Sequence, residues 1–149
     1  LSGVDRRLIR AEQLNPDFDR IGKIVAVRGE VLLDLCEQGV VPVISPVSFG
    51  EDGRYNVNAD HAAGAVAAAV DASHVTFLTN VPGVRLTGGE IAAELSAGDV
   101  DRLIEEGVIE GGMIPKVRAA LGALSGGVKH AIITDLDGLR SGSGTILSI

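Results

Sequence analysis

Tryptophan is absent, tyrosine, methionine and cysteine occur once each and phenylalanine three times, so aromatics make up only 3% of this 149-residue chain. With so few aromatic rings the core has to be built mainly from Ala, Val, Leu and Ile, which suits an α/β protein better than an aromatic-rich β-sandwich. The single Cys36 excludes an intrachain disulfide and a cysteine-based metal site, and points to a reducing, cytosolic compartment. Basic residues number 13 against 20 acidic ones, for a formal charge of −7. That balance argues against nucleic acid as a non-specific partner. An acidic chain that binds a phosphorylated ligand has to do so with a local site. No apolar run approaches the roughly 18 residues that span a bilayer, and no secretory signal pattern opens the chain, so no membrane partner is expected. The first residue is Leu1 rather than methionine, and residues 1–149 read as one portion of a longer protein.

What is present alternates short apolar runs with helical patterns. Leu8 to Val27 reads as a strand pair turning at Asn15-Pro16-Asp17. Glu30 to Gln38 carries Val31, Leu32, Leu35 and Cys36 at helical spacing, closed by Gly39. Val40 to Val47 is a near-continuous β-branched run with two prolines, expected to be a buried parallel strand. Glu51-Asp52-Gly53 is a turn, and Asn58 or Asp60 caps a helix running to Val70. Val75 to Thr79 is a buried strand that ends in the Asn80-Val81-Pro82-Gly83 turn. Short helices are expected around Glu90 to Leu95 and, with Asp99 as cap, Val100 to Glu106. Pro115 starts a helix that continues from Val117 to Leu124. Ala131 to Ile133 and Thr145 to Leu147 are the last strands, the latter preceded by a turn at Gly142-Ser143-Gly144-Thr145. This order predicts a mainly parallel sheet covered on both faces, with ligands at the carboxyl ends of its strands.

The segment Tyr55-Asn56-Val57-Asn58-Ala59-Asp60 sets two amides and a carboxylate against an alanine-rich helix. Buried polar groups without partners cost roughly 1–3 kcal/mol each, so these need something to bind. One reading is ligand organisation, with Asn56 donating to an anion and Asp60 holding cationic groups in register. The other is an Asx turn with an N-cap, which needs only one such residue where three are present. Lys116 follows Gly111-Gly112-Met113-Ile114-Pro115 at a helix start, where the dipole disfavours a lysine unless phosphate shares the position. The Asn80 to Val84 turn is either a plain type II turn or a backbone cradle for an adenine or ribose.

Other motifs are missing. Neither a Gly-x-x-x-x-Gly-Lys-Ser/Thr loop nor a Gly-x-Gly-x-x-Gly turn after a strand occurs. Asp135-Leu136-Asp137-Gly138 lacks the glutamate that would close a calcium loop and reads as a surface turn. His61, His74 and His130 stand at no ligand spacing, so no metal site is expected. Ser45 and Ser48 lack a nucleophile-elbow context.

Tyr55 to Asp60 and Gly111 to Val117 together resemble the amino acid kinase family, and within it the branch that phosphorylates the side-chain carboxylate of N-acetyl-L-glutamate. Leu1 to Asp5 is similar to the segment opening the second half of such enzymes, Gly39 to Pro46 to their central strand, and Gly144-Thr145-Ile146 to their closing strand. The resemblance implies a three-layer α/β/α fold and transfer of the ATP γ-phosphoryl group in arginine biosynthesis. Mg2+ would be held mainly by the nucleotide phosphates, and the intact enzyme would be a cytoplasmic homo-oligomer. By motif position it implies Asn56 and Asn58 as acetylglutamate contacts, Asp60 as organiser of catalytic lysines and Lys116 as stabiliser of the transferring phosphoryl. The nucleotide would lie over Thr79, Asn80, Val81, Gly83, Val84 and Arg85, and near Val108, Ile109, Glu110 and Met113. Asn80 stands where the family usually has aspartate, and the stretch after Asp135 is shorter than usual, so a helix there is expected to be missing or reduced. The family's glycine-rich phosphate loop, with its own lysine, has no counterpart ahead of Leu1. The chain therefore reads as the nucleotide-binding, C-terminal portion. A kinase acting on carrier-linked aminoadipate in lysine biosynthesis and a non-catalytic nucleotide-binding module are the alternatives.

Overall fold

The structure, a computed structural model, describes residues 1–17 and 19–149, with Phe18 outside the described residues. It forms two compact units, Leu1–Val70 and Asp71–Ile149.

In the first unit, β1 (Ile9–Gln13) and β2 (Gly22–Val27) form the expected antiparallel pair, and Asn15 accepts the Asp17 amide in an Asx turn at 3.0 Å. Helix α1 (Gly29–Glu37) follows, and Gly39 takes the left-handed conformation (φ +75°) that ends it. β3 (Val47–Gly50) and β4 (Gly53–Asn56) form a second hairpin around the Glu51–Asp52 turn. The Tyr55 hydroxyl donates to Asp52 at 2.8 Å, and Arg20 pairs with the same carboxylate at 3.2 Å. The tyrosine hydrogen bond leads in holding the Asp52 carboxyl below its usual range. Helix α2 (Ala59–Ala69) completes the unit. The sheet order is β2-β1-β3-β4. Leu8, Ile9, Val31, Leu32, Tyr55, Val57 and Ala62 form the core, supported by Ile24, Val27, Ile44, Val66 and Val70.

The second unit contains β5 (His74–Leu78), β6 (Glu94–Ser96), α3 (Ala97–Glu105), α4 (Met113–Ser125), β7 (His130–Thr134), α5 (Leu136–Ser141) and β8 (Thr145–Ser148), with sheet order β5-β7-β8-β6. α4 packs on β5, β7 and β8. It buries Val117, Ala120, Ala123 and Leu124, while the sheet buries Val75, Phe77, Ala131, Ile133 and Leu147.

The α/β class holds, but the sheets are evenly mixed. Parallel pairs (β1/β3, β5/β7, β6/β8) alternate with antiparallel ones (β1/β2, β3/β4, β7/β8). The connections within β1/β2 and β3/β4 are shorter than the crossover of a dozen or more residues that parallel neighbours need.

Several expected elements differ in detail. Val40 to Pro46 is not a ladder-paired strand: among the described residues only Ser45 bridges to a neighbour, Ser2, and Val41 and Val43 are open to solvent. Pro42 and Pro46 supply no amide donors to the edge opposite the Ser45–Ser2 bridge, so the run cannot sustain a ladder on that opposite edge. Residues 90–95 form no helix. Arg85 bridges to Ile91, the Ala92 amide donates to the Val84 carbonyl at 2.9 Å, and Leu95 pairs with Leu147. Gly88-Gly89 closes a hairpin there, and a local helical pattern loses to strand pairing. Asp135 to Gly138 is no surface turn but the start of α5: Asp135 caps it by accepting the Gly138 amide at 2.7 Å, and Gly142 (φ +74°) ends it. At six residues this helix is short, and a groove of about 370 Å³ lies between it and the sheet. Pro115 is the third residue of α4 rather than its first, where its missing N–H is still harmless.

Helix α3 is capped by Ser96, not Asp99. The two form a reciprocal box in which Ser96 Oγ accepts the Asp99 amide at 3.2 Å and the Asp99 carboxylate accepts the Ser96 amide at 3.1 Å and hydroxyl at 2.6 Å. These bonds, with Arg102 beside them, hold the Asp99 carboxyl at about 2 against an ordinary 3.8. A depressed carboxylate contributes stability above its unfolded value and loses it as pH falls through its folded value. The α3 cap is therefore expected to be intact above about pH 4 and to weaken between about pH 4 and 2. An NMR titration of the Asp99 carboxyl checks this, and in Ser96→Ala its midpoint should move back toward the ordinary value. An unchanged midpoint would show that the box does not set it.

Candidate functional site

At the carboxyl end of β5 the chain turns through Asn80 to Arg85. In a βα-type sheet this is the end at which ligands bind. The Thr79 amide donates to the Thr134 carbonyl at 2.9 Å, continuing the parallel pairing for one residue, and the Thr79 hydroxyl donates to Asn80 Oδ1 at 3.3 Å. Beyond them the turn is anchored from below. The Val84 amide donates to Thr145 Oγ1 at 2.8 Å, and the same hydroxyl donates to the Ala92 carbonyl at 2.6 Å. Thr145 is fully buried at the start of β8. Only glycine fits at Gly83: a Cβ there would lie 2.6 Å from both Ile91 Cγ2 and Thr145 Oγ1. The close approach of the turn to Thr145 thus requires the missing side chain.

A second segment comes from the end of α3. Gly107 takes a left-handed conformation (φ +71°), and the Val108 and Ile109 amides both donate to the Leu103 carbonyl, at 2.9 and 3.0 Å. The chain then enters α4 through Gly111, also left-handed (φ +54°). Met113 and Ile114 donate back to the Glu110 and Gly111 carbonyls at 3.2 and 3.3 Å, winding the diglycine onto the helix start.

Between these two segments lies a cleft of about 190 Å³ lined by Val81, Gly83, Val84, Arg85, Val108, Ile109, Glu110 and Met113. All of these residues were candidates from sequence. Thr79 and Asn80 stand just before the cleft and do not line it. The walls are aliphatic, with one cation and one anion among the lining residues. Whole small-molecule sites occupy roughly 300–1,000 Å³, so this cleft has room for only part of such a ligand.

Helix α4 begins beside that cleft. No side chain caps it, and no acidic residue stands in its first turn. Its positive end is therefore left uncompensated by carboxylates of its own first turn, the condition under which an anion is favoured. Lys116 is the fourth residue of α4, half-buried, and three positions on from Met113, so both occupy one face of the helix. Cleft, anion-favouring helix start and lysine all belong to the second unit.

The remaining candidates belong to the first unit. Asn58 is the N-cap of α2: its side-chain oxygen accepts the Asp60 and His61 amides at 3.0 and 3.2 Å. The structural reading of that asparagine is thus realised, and its carbonyl oxygen is committed to the helix. Asp60 is the second residue of α2 and half-buried. Asn56 ends β4 with its amide on the Arg20 carbonyl at 2.7 Å and its side chain exposed. Among the described residues no group of three or more His, Cys, Asp or Glu is arranged to hold a metal, and no helix is long and apolar enough to cross a membrane.

Sequence reasoning assigned Thr145 only to a turn and a strand, and missed its hold on the cleft. The available signal was its position two residues before Leu147, on the core-facing side of β8, where a hydroxyl has to find partners.

Residues 2–135 match the Amino acid kinase family, and the chain belongs to that family. It is 56% identical over 151 residues to an acetylglutamate kinase from Roseiflexus sp. (strain RS-1), covering 99% of this chain and 58% of that protein. A second acetylglutamate kinase, from Geobacillus kaustophilus, is 50% identical over 137 residues, covering 89% of this chain and 52% of its own length. Among solved structures, smu.665 from Streptococcus mutans superposes with a TM-score of 0.85 at 28% identity, over 95% of this chain and 57% of that one. A carbamate kinase from Giardia lamblia bound to AMP-PNP shares the fold with a TM-score of 0.71 at 18% identity, over 94% of this chain and 59% of that one. The chain spans little more than half the length of the curated relatives it matches.

Proposed function

We infer that this chain is the nucleotide-binding portion of an acetylglutamate kinase, transferring the ATP γ-phosphoryl group to the side-chain carboxylate of N-acetyl-L-glutamate in arginine biosynthesis. The observation that carries the reading is the aliphatic cleft of residues 81–85 and 108–113 set at the uncapped start of α4. The identity to acetylglutamate kinases over nearly the whole chain supports the choice of acceptor. In the transfer, a carboxylate oxygen forms the new bond to phosphorus, the bond to the β-phosphate oxygen breaks, and ADP leaves. Such a loose transition state asks for positioning and charge compensation more than for a covalent catalyst. Lys116 compensates charge on the transferring group, the cleft holds the base, and Mg2+ rides on the nucleotide phosphates. Asn56 contacts the acceptor, with Asn58 shaping the same segment as cap. Asp60 orients cationic groups. The intact enzyme is a cytoplasmic homo-oligomer on this reading.

Calorimetry with magnesium-ATP, followed by hydroxylamine trapping of the acyl phosphate with acetylglutamate present, tests it. Heat of nucleotide binding is expected from the chain alone. Binding without hydroxamate, even once the chain is grafted into a full-length relative, would favour the non-catalytic nucleotide module, and hydroxamate only with a carrier-linked aminoadipate would favour the lysine-pathway kinase. Absence of nucleotide binding would remove the reading.

Asp60→Asn separates a chemical role from a capping one. The cap is Asn58, so the exchange removes one charge near a helix N-terminus, about 0.3–1 kcal/mol of stability. If Asp60 orients the reacting groups, turnover in such a graft falls far more than that small stability change implies. Turnover within a few-fold of the parent would assign Asp60 to the helix alone.

A further inference from the structure

The turn that forms one wall of the cleft is tied down at both ends, and Thr134 stands behind both ties. At the near end the Thr79 amide donates to the Thr134 carbonyl at 2.9 Å. At the far end the Val84 amide donates to the Thr145 hydroxyl at 2.8 Å. Thr145 is the first residue of β8 and, paired with Ile133, the last rung of the β7/β8 ladder. Ladder ends are where a sheet opens first. A hold from beyond that rung is what keeps the Thr145 hydroxyl on Val84.

Thr134 supplies it. It ends β7, one residue past the Ile133 rung, and is only 1% exposed. Its hydroxyl donates to the Ser143 carbonyl at 2.7 Å, two residues before Thr145. A buried hydroxyl left without a partner is costly, so this bond fixes Ser143 against the end of β7. Only Gly144 (φ +150°) lies between that carbonyl and Thr145, and it has no room for a side chain. A Cβ there would come within 2.7 Å of the Ile133 carbonyl and 2.8 Å of Thr134 Cβ. Gly138 of α5 makes the same allowance, since a Cβ at that position would collide with the Thr134 hydroxyl.

We propose that Thr134 is a positioning residue for the nucleotide turn. Its carbonyl holds Thr79, and its hydroxyl, through Ser143 and Thr145, sets where the Val84 amide and the cleft wall stand. Thr134 does not itself line the cleft, and every group on this path belongs to the second unit. That the turn serves a nucleotide rests on the kinase reading. Exchange of the Val84 amide does not, so the two can fail separately.

Amide hydrogen exchange of the chain is followed by NMR below its melting temperature, and ATP affinity by calorimetry with magnesium-ATP. Thr134→Val keeps the shape and loses the hydroxyl. The Val84 amide is expected to exchange at least tenfold faster relative to amides inside the β5/β7 ladder, and ATP affinity to fall at least fivefold. Thr134→Ser restores the hydroxyl and should bring both readouts within twofold of the parent. Val75→Ala, at a buried position of β5 off this path, is the control. It should lower the melting temperature without singling out Val84 and leave ATP affinity within twofold. Should the new methyl crowd Gly138, Thr134→Ala removes the same bond without it, and the same changes are expected. Unchanged relative exchange at Val84 would overturn the proposal. So would protection lost evenly over the whole sheet, or failure of both variants to fold, since Thr134 would then serve the core alone. Faster Val84 exchange with ATP affinity intact would overturn it as well. A parent chain that binds no ATP would remove the kinase reading, and Val84 exchange would still decide whether Thr134 holds the turn.

Discussion

Lys116→Ala is expected to reduce phosphoryl transfer by on the order of 10²–10³ while leaving the fold in place, the typical loss when one preorganised transition-state contact of about 3–4 kcal/mol is removed. The measurement needs an active enzyme, so the variant is made in a graft of residues 1–149 into the full-length Roseiflexus relative, which is 56% identical over this region. Lys116 stands in the first turns of a helix that has neither a capping side chain nor an acidic residue at its start. A cation in that position is disfavoured by the helix dipole unless an anion joins it. If the lysine has no role in binding phosphate, the exchange would change stability by less than about 0.5 kcal/mol and leave turnover as it was. Lys116→Arg should recover only part of the rate, because the planar guanidinium directs its donors differently from a compact ammonium. Steady-state turnover at saturating ATP, paired with a melting curve, separates the outcomes. Parental turnover in the alanine variant would take Lys116 out of the chemistry.

Thr145→Val carries the larger structural effect. Valine matches threonine in shape, so packing is kept while the hydroxyl is lost. That hydroxyl serves two main-chain groups, accepting the Val84 amide at 2.8 Å and donating to the Ala92 carbonyl at 2.6 Å. Val84, Ala92 and Thr145 are all buried, so water cannot take over either bond. Leaving both unmet costs about 1–3 kcal/mol each, or roughly 2–6 kcal/mol together. At roughly 2–4 °C per kcal/mol for a chain approaching this size, the loss is visible in a thermal melt. Thr145→Ser keeps both bonds and should recover most of the stability. The same variant reads on the cleft, because Val84 lines it and Thr145 fixes the turn that carries Val84. ATP affinity should therefore fall in Thr145→Val and return in Thr145→Ser. A valine variant that melts and binds like the parent would mean that the turn is held by something else.

Element existence was mostly legible because the signals were local. The helix over α1 follows from Val31, Leu32 and Leu35 at helical spacing with glycine behind it, and β5, β7 and β8 follow from short β-branched runs between turns. What failed needed a neighbour. Residues 90–95 carry a pattern that a helix could use, yet Leu95 pairs with Leu147 and Ala92 bonds to Val84, neither partner visible to a local pattern. Ser96 and Asp99 are both good caps, and only the backbone path decided which of them stood outside the helix. Asp135 looked like a turn because one capped turn of helix and a surface turn share their residues.

The amino-acid sequence alone determined the class of core, the absence of disulfides and the family motifs, and the resemblance those motifs carry pointed to the residues that line the cleft. These depend on residue type and short spacing, which the chain carries with it. Only the tertiary structure decided that Asn58 spends its oxygen on capping α2, that Thr145 anchors the turn carrying Val84, and that Val41 and Val43 lie open rather than buried. Each of those facts depends on which segment lies alongside: a hydroxyl 61 residues from the amide it holds, and a valine pair that no described segment covers. Hydrogen-bond partners and burial are properties of pairs of segments, and a single segment's pattern fixes only what it is able to offer.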